Sequence, residues 1–267
     1  MKKITTLALV LILGACKPNV KQKAVQSSVP EKATEQPSRY PDAMKQVFEA
    51  HGGLELWKQQ RTLSFVILHP DNPETHTVDL WSRRDRVDSK GVSMGFDGNE
   101  IWLLDPESTY KGDAAFYHNL MFYFYAMPFV LADEGIVYGG ADALRFEGKE
   151  YPGVRVAYES GVGVSSKDEY YLHFDPDTHQ MTWLGYTVTY RTGEKSDNVK
   201  WIRYDDWQTV NGLVLPKSIT WYNYEGRTIL DPKSTVVFTD VALSATPKPK
   251  EFYARPEGAV SVEAKTN

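Results

Sequence analysis

Between residues 143 and 226 the chain turns back on itself three times. The segments "ALRFEGKEYPGVRVAYE" (143–159), "DEYYLHFDPDTHQMTWLGYTVTYR" (168–191) and "NVKWIRYDDWQTVNGLVLPKSITWYNYEG" (198–226) are rich in β-branched and aromatic residues. Each is broken once by a turn signal: EGKEYPG, DPDTHQ and VNG. A turn of a few residues can join only antiparallel neighbours, because parallel strands need a crossover of a dozen residues or more. "TLSFVILH" (62–69), "THTVDLWSRRDRV" (75–87), "NEIWLLD" (99–105) and "TVVFTDVAL" (235–243) read as further strands, with PDNPE, DSKG and DGN as turn chemistry between the earlier ones. No βαβ rhythm appears. The expectation is a mainly β chain with some α: about nine to eleven strands in one strongly curved antiparallel sheet, of half-open or barrel type.

The phase of these strands is the second constraint. Tyr170, Leu172 and Phe174 share one face; so do Leu184, Tyr186, Val188 and Tyr190, and Ile202 is in phase with Tyr204. The opposite faces carry Tyr171, His173, Trp183, Trp201 and Trp221, so neither side is polar. A sheet that is apolar on both faces must be covered on both, by helices on one and by helices or a ligand on the other. "YPDAMKQVFEAHGG" (40–53) reads as one helix, with Met44, Val47, Phe48 and His51 at helical spacing and Gly52 at its C-terminal end; "LELWK" (54–58) continues as a short one.

"DAAFYHNLMFYFYAMPFVLAD" (113–133) supplies the other cover. Leu120 to Ala132 are all apolar or aromatic, with Pro128 inside, which is too short and too interrupted for a membrane span. It is either a core helix or a lid with one face on the sheet and one on a hollow. In the lid reading Phe116, Leu120, Tyr123, Phe124 and Met127 form the stripe facing the hollow, opposite Met121, Phe122 and Tyr125. Leu172, Phe174, Ile202 and Tyr204 would then be the strand residues of a ligand-binding wall.

The N-terminus has a different character. Lys2 and Lys3 precede the apolar run "TLALVLIL" (6–13), and Leu13-Gly14-Ala15 leads to Cys16, the only cysteine of the chain. This order is that of a secretory signal, and "LGAC" resembles the bacterial lipobox, whose cysteine thiol carries diacylglycerol after cleavage before it. The domain reading is therefore a signal peptide at 1–15, a lipidated tether at 16–39 with lipid attachment at Cys16, and a folded domain at 40–267. Residues 17–39 lack aromatics and are rich in Lys, Gln, Ser and Pro, so they read as flexible coil spanning roughly 25–30 Å. Lys17 rather than Asp follows the cysteine, which favours the periplasmic face of the outer membrane. With 30 Lys and Arg against 35 Asp and Glu, a formal net charge of −5, and no basic stripe, nucleic acid is not an expected partner. The membrane is reached through the acyl anchor.

Five motifs in fixed order resemble the landmarks of the LolA/LolB/LppX-like lipoprotein-sorting superfamily. "DLWSRRDRVD" (79–88) followed by "GFDGNEIWLLDPE" (95–107) is similar to its Arg-containing turn and Asp-Gly strand start; "YYLHFDPDTHQM" (170–181), "YDDWQTVNGLVLPKSITW" (204–221) and "EFYARPEGA" (251–259) are similar to its later hairpins and closing segment. The opening "AHGGLELW" (50–57) is closest to uncharacterised lipoproteins of that superfamily. One departure is Arg84, which follows Arg83 where the superfamily often has Pro. The resemblance implies an unclosed half-barrel whose helices lid an apolar cavity, and a non-enzymatic carrier or chaperone for a lipid or other lipophilic molecule in the cell envelope. An accessory or structural subunit, with an envelope protein as partner, is the alternative.

A hydrolase is the rival class. STYK (108–111), RTG (191–193) and SDN (196–198) approach the motifs of penicillin-binding enzymes, but their order is wrong and nothing predicts the helix that should carry Ser108. His173 and Asp175 could share a strand face, yet a turn-flanking pair is more often simply polar. No metal, cofactor or catalytic residue is implied.

Overall fold

The structure is a computed structural model, and it describes residues 38–69, 71–159, 167–189, 194 and 196–263. Cys16 and the tether up to residue 37 lie outside the described residues. Residues 39–267 form one compact unit. Its first residue, Arg39, belongs to the stretch read as tether, yet its guanidinium donates to the carbonyl of Ala132.

Two helices open the unit, α1 (Asp42–Ala50) and α2 (Leu54–Lys58). Five strands follow: β1 (Thr62–Ile67), β2 (Glu74–Asp79), β3 (Asp85–Ser89), β4 (Val92–Phe96) and β5 (Ile101–Leu104). Next come two short helices, α3 (Ala114–Tyr117) and α4 (Leu120–Tyr125), and a 3-10 turn, Phe129–Ala132. The second run of strands is β6 (Ile136–Phe146), β7 (Lys149–Tyr158), β8 (Glu169–Phe174), β9 (Met181–Tyr186), β10 (Lys200–Val210), β11 (Leu213–Glu225) and β12 (Thr228–Ser244), with β13 (Val260–Val262) near the end.

All thirteen strands belong to one antiparallel sheet, ordered β13-β5-β4-β3-β2-β1-β12-β11-β10-β9-β8-β7-β6. Its edges, β13 and β6, do not pair with each other, so the sheet is an unclosed half-barrel. Thirteen strands exceed the nine to eleven expected. The run 75–87 is cut into β2 and β3 by a turn at 80–84, and β4 and β13 are too short to stand out as periodic segments. The hairpin signals sit where the sequence places them. Glu147-Gly148 and Asn211-Gly212 all have positive φ, as a two-residue turn between antiparallel strands requires.

The two apolar faces are both covered. One carries the main core, in which Leu172, Leu184, Ile202, Leu215 and Ile219 of the sheet meet Met44, Val47 and Phe48 of α1 and Phe122, Tyr125 and Phe129 of the later helical segment. The other carries Tyr151, Tyr171, Trp183, Trp201 and Tyr222, over which Phe146 and Leu144 from the end of β6 fold back. Trp221 departs from the expected phase. It packs on the helix side, its ring 5.6 Å from that of Phe124, because it lies two residues from Ile219 in the same strand and directly opposite Ile202 of β10, both on that face.

The motifs scattered along the sequence meet in space. Asp79 Oδ1 accepts the amide hydrogens of Trp81 and Ser82 and so closes the turn that Arg83 completes at positive φ. Arg84 Nε then donates to the Asp97 carbonyl at 2.7 Å and its guanidinium lies against Gly98, so the Arg turn clamps the Asp-Gly turn. Trp102 Nε1 donates to the Tyr253 carbonyl, tying the closing segment to β5. His51 is fully buried, donates from Nδ1 to Val214 O at 3.0 Å and accepts Met181 N–H at Nε2 at 3.0 Å. That arrangement fixes the neutral imidazole and binds the α1 end to two hairpins.

Candidate functional site

Residues 113–133 are not one helix. Asp113 caps α3 by accepting the Phe116 amide, and His118, whose backbone is still helical, places Nδ1 2.8 Å from a carboxylate oxygen of Asp85. Both partners are buried, and Asn119, at φ −116° and ψ −1°, separates α3 from α4. The expected continuous stripe is thus carried on two short helices with a step between them. Pro128 lies beyond α4, so that helix ends before the proline rather than at it.

A partly open cavity of about 290 Å³ lies where α3, α4 and the 3-10 turn pass over the ends of β7, β8 and β9. From the helical segment it is lined by Ala115, Phe116, Asn119, Leu120, Tyr123, Phe124, Met127, Val130, Asp133 and Glu134. From the sheet it is lined by Tyr158, Asp168, Tyr170, Tyr186, Thr187 and Val188. Its walls are mostly apolar, and its size is just below the range of about 300–1,000 Å³ of ligand pockets.

The five helical residues singled out from the sequence, Phe116, Leu120, Tyr123, Phe124 and Met127, all line this cavity, and Met121, Phe122 and Tyr125 do not. Leu172, Phe174, Ile202 and Tyr204 are placed elsewhere. They lie in the filled core, and Tyr204 supports α4 from beneath by donating to the Phe124 carbonyl at 2.9 Å. The difference is depth along the strand. Tyr170 pairs with Tyr186 at the cavity level, whereas the next in-phase pair, Leu172 with Leu184, is already under the helices.

Aromatic contacts hold the wall together. Tyr158 meets Tyr170 edge to face at 5.8 Å, Tyr170 lies nearly parallel to Tyr186 at 6.3 Å, and Tyr186 meets Phe124 at 5.2 Å. Trp221 Nε1 donates to the Tyr186 hydroxyl at 3.0 Å. Burial pushes the phenols of Tyr158 and Tyr170 well above their ordinary range and that of Tyr186 up to about 12. At neutral pH these hydroxyls therefore stay protonated and offer hydrogen bonds rather than charge.

Three carboxylates also line the cavity. Asp133 is bound by Arg83 Nη2 at 2.6 Å, and burial still raises its pKa against that pairing. Glu134 is exposed. Asp168 is 9 % exposed, accepts the Thr189 amide at 2.6 Å, and is raised by burial above the usual carboxylate range.

The rival motifs are not brought together among the described residues. Ser108 lies in an exposed turn and its carbonyl accepts from Lys111 Nζ, while RTG (191–193) lies outside the described residues. His173 turns Nδ1 to the Tyr151 carbonyl, and Asp175 pairs instead with Lys149.

A family model covers residues 97–240, from the Asp-Gly turn into β12. The chain belongs to DUF6503, a family of unknown function. No curated protein sequence matches it. Among solved structures it is similar to a LolA superfamily protein from Nitrosomonas europaea, with 10 % identity over 78 % of this chain and 96 % of that one and a TM-score of 0.46. It is also similar to an outer-membrane lipoprotein-sorting protein domain from Vibrio parahaemolyticus, at 10 % identity over 76 % and 97 % of the two chains with a TM-score of 0.41. A DUF1329 family protein from Desulfovibrio piger gives 10 %, 75 %, 93 % and 0.44 in the same terms.

Proposed function

We propose that the protein is a lipid-anchored carrier or chaperone of the cell envelope, non-enzymatic, holding a lipophilic molecule between α3–α4 and the strand ends of β7–β9. The observation that carries this reading is the cavity itself. The sheet is apolar on both faces and is covered on both except at this end, where six aromatic rings face about 290 Å³ of open space. Apolar surface left exposed to water in a protein of this size generally marks a binding site. The lipobox-like Cys16 supports anchoring, and Lys17 supports the periplasmic face of the outer membrane.

Two measurements test the two halves. The full chain is titrated with the neutral apolar dye N-phenyl-1-naphthylamine, and the protein purified from membranes is analysed by mass spectrometry for retained lipid. Saturable dye binding at one site, or a stoichiometric lipid, is expected; absence of both moves the reading to an accessory subunit with a closed core. Labelled palmitate should enter the wild type and not Cys16→Ala, and equal labelling of both ends the anchored reading.

A further inference from the structure

We infer that the cavity selects lipophilic molecules carrying an ammonium group over those carrying an anionic end. This inference rests on the carrier reading and specifies its ligand. Among the described residues, the lining includes Asp133, Glu134 and Asp168 and no Lys, Arg or His. Asp133 is already matched by Arg83. Glu134 makes no ion pair among the described residues, and it stands at the exposed rim where a soluble head group would pass.

Asp168 is the telling group. It is buried at the wall of an apolar space, and the donors it meets, the amide and the hydroxyl of Thr189, are both neutral. Lys200 acts on it electrostatically but forms no ion pair with it. A buried carboxylate without a counter-charge is costly, and proteins normally pair such groups. Burial raises its pKa, which is the same penalty in another form. A bound cation would remove that penalty, whereas a carboxylate or sulfate would add a second uncompensated negative charge.

The walls agree with the rim. Tyr158, Tyr170 and Tyr186 present ring faces and edges at the cavity, and a cation near a desolvated aromatic face is attracted by the ring quadrupole. The hydroxyls of Tyr123, Tyr158 and Tyr170 take part in none of the hydrogen bonds among the described residues, so they remain available to a head group. An apolar body would lie against Phe116, Leu120 and Met127. The ligand class is thus an ammonium joined to a hydrocarbon, which occurs both in zwitterionic lipid head groups and in free amphiphilic amines.

The test uses the full chain loaded with N-phenyl-1-naphthylamine, displaced by four twelve-carbon probes below their micellar concentrations. These are dodecyltrimethylammonium, dodecylphosphocholine, dodecyl sulfate and the neutral dodecyl maltoside. The cation should displace the dye at a concentration about tenfold lower than the sulfate, a difference of the size that ring–cation and ion pairing provide. Equal strength of cation and phosphocholine assigns the ammonium to a lipid head group, and strength of the cation alone assigns it to a free amine; either supports the inference. In Asp168→Asn, which keeps an acceptor for Thr189, the cation-to-sulfate ratio should fall to about threefold or less. Glu134→Gln, at an exposed position, should lower the ratio in the same direction. A sulfate as effective as the cation, or a ratio unmoved by both variants, overturns the ammonium preference and leaves the carrier reading standing. Failure of the dye itself to bind removes the carrier reading and this inference together.

Discussion

Phe122 and Phe124 are neighbours on α4 with different surroundings, and truncating each distinguishes a packed helix from a cavity wall. Phe122 is 1 % exposed, does not line the cavity, and has the Arg83 guanidinium 5.2 Å from its ring. Phe122→Ala leaves a void enclosed on all sides, so it should cost about 4 kcal/mol, within the range for a phenylalanine removed from a filled core. Phe124 is also buried, at 6 % exposed, but its ring has Tyr186 and Trp221 on one side and the cavity on the other. Phe124→Ala loses the transfer term while only enlarging an existing space, so about 2 kcal/mol is expected. For a chain of this size these losses correspond to melting shifts of roughly 8–16 °C and 4–8 °C. Circular dichroism melts of the two variants give the stability order, and dye titration gives the functional one. Phe124→Ala should weaken dye binding severalfold, and Phe122→Ala should leave binding per folded molecule near the wild-type value. Equal melting losses together with equal dye affinities would refute the division of α4 into a wall face and a packed face.

Three further outcomes follow from the core. His51 is pulled down to about 4 by burial, against an ordinary value of 6.5. The unfolded chain therefore binds the extra proton first, and stability that is complete above pH 6.5 should fall by about 3 kcal/mol as pH drops through 4. Urea midpoints at pH 7 and 4.5 should show a smaller acid loss in His51→Gln than in the wild type, and an unchanged loss would assign the acid sensitivity elsewhere. Tyr125 is fully buried between Phe65 and Phe238, and its hydroxyl has no partner among the described residues. Tyr125→Phe should raise stability by about 1 kcal/mol, and a drop in the urea midpoint would mean that the hydroxyl is satisfied in solution. Gly52 has φ +101°, and an added Cβ would stand 2.4 Å from the Gly212 carbonyl oxygen, whereas Gly91 has φ +77° with nothing within 4 Å. Gly52→Ala should therefore destabilise by more than about 2 kcal/mol and Gly91→Ala by about 1, read from the same denaturation curves.

The strands and their faces are legible because period two is a local property. Tyr171, Trp183 and Trp201 fall on one face and Leu172, Leu184 and Ile202 on the other, as alternation requires. Trp221 obeys the same rule, two residues from Ile219 and opposite Ile202, and so falls on the face of the leucines rather than with the other two tryptophans. The helical half of the cavity is legible for the same reason as the strands. Its stripe depends on spacing alone, and it survives the break at Asn119 because α3 and α4 remain nearly in phase. The break itself is hidden, since spacing carries no mark of it at Asn119, and the Asp85 partner of the adjacent His118 is 33 residues away in sequence. The sheet half of the cavity is the least legible. Phase selects the right face, but how far along a strand the helical cover stops depends on three-dimensional packing. That is why Leu172 and Phe174 are core while Tyr170, in the same phase, is wall. Asp168 gives no signal in one dimension, because a carboxylate at a strand start looks like any solvated loop residue until its burial is known.

The pairing of β1 with β12 has a consequence for how the chain comes to be folded. Nearly every other ladder in the sheet joins strands that follow one another, so those hairpins can form as soon as their residues are available. β1 instead waits for a strand near the far end, and Thr62 reaches Thr246 across 184 residues. Closing so distant a contact is entropically slow, and chains dominated by such contacts fold slowly. Until β12 arrives, the β1–β5 half presents β1 as an unpaired edge, a ready template for joining a second chain. Synthesis and folding of this protein are thus coupled in time: the N-terminal half cannot be made safe before its C-terminal half has emerged.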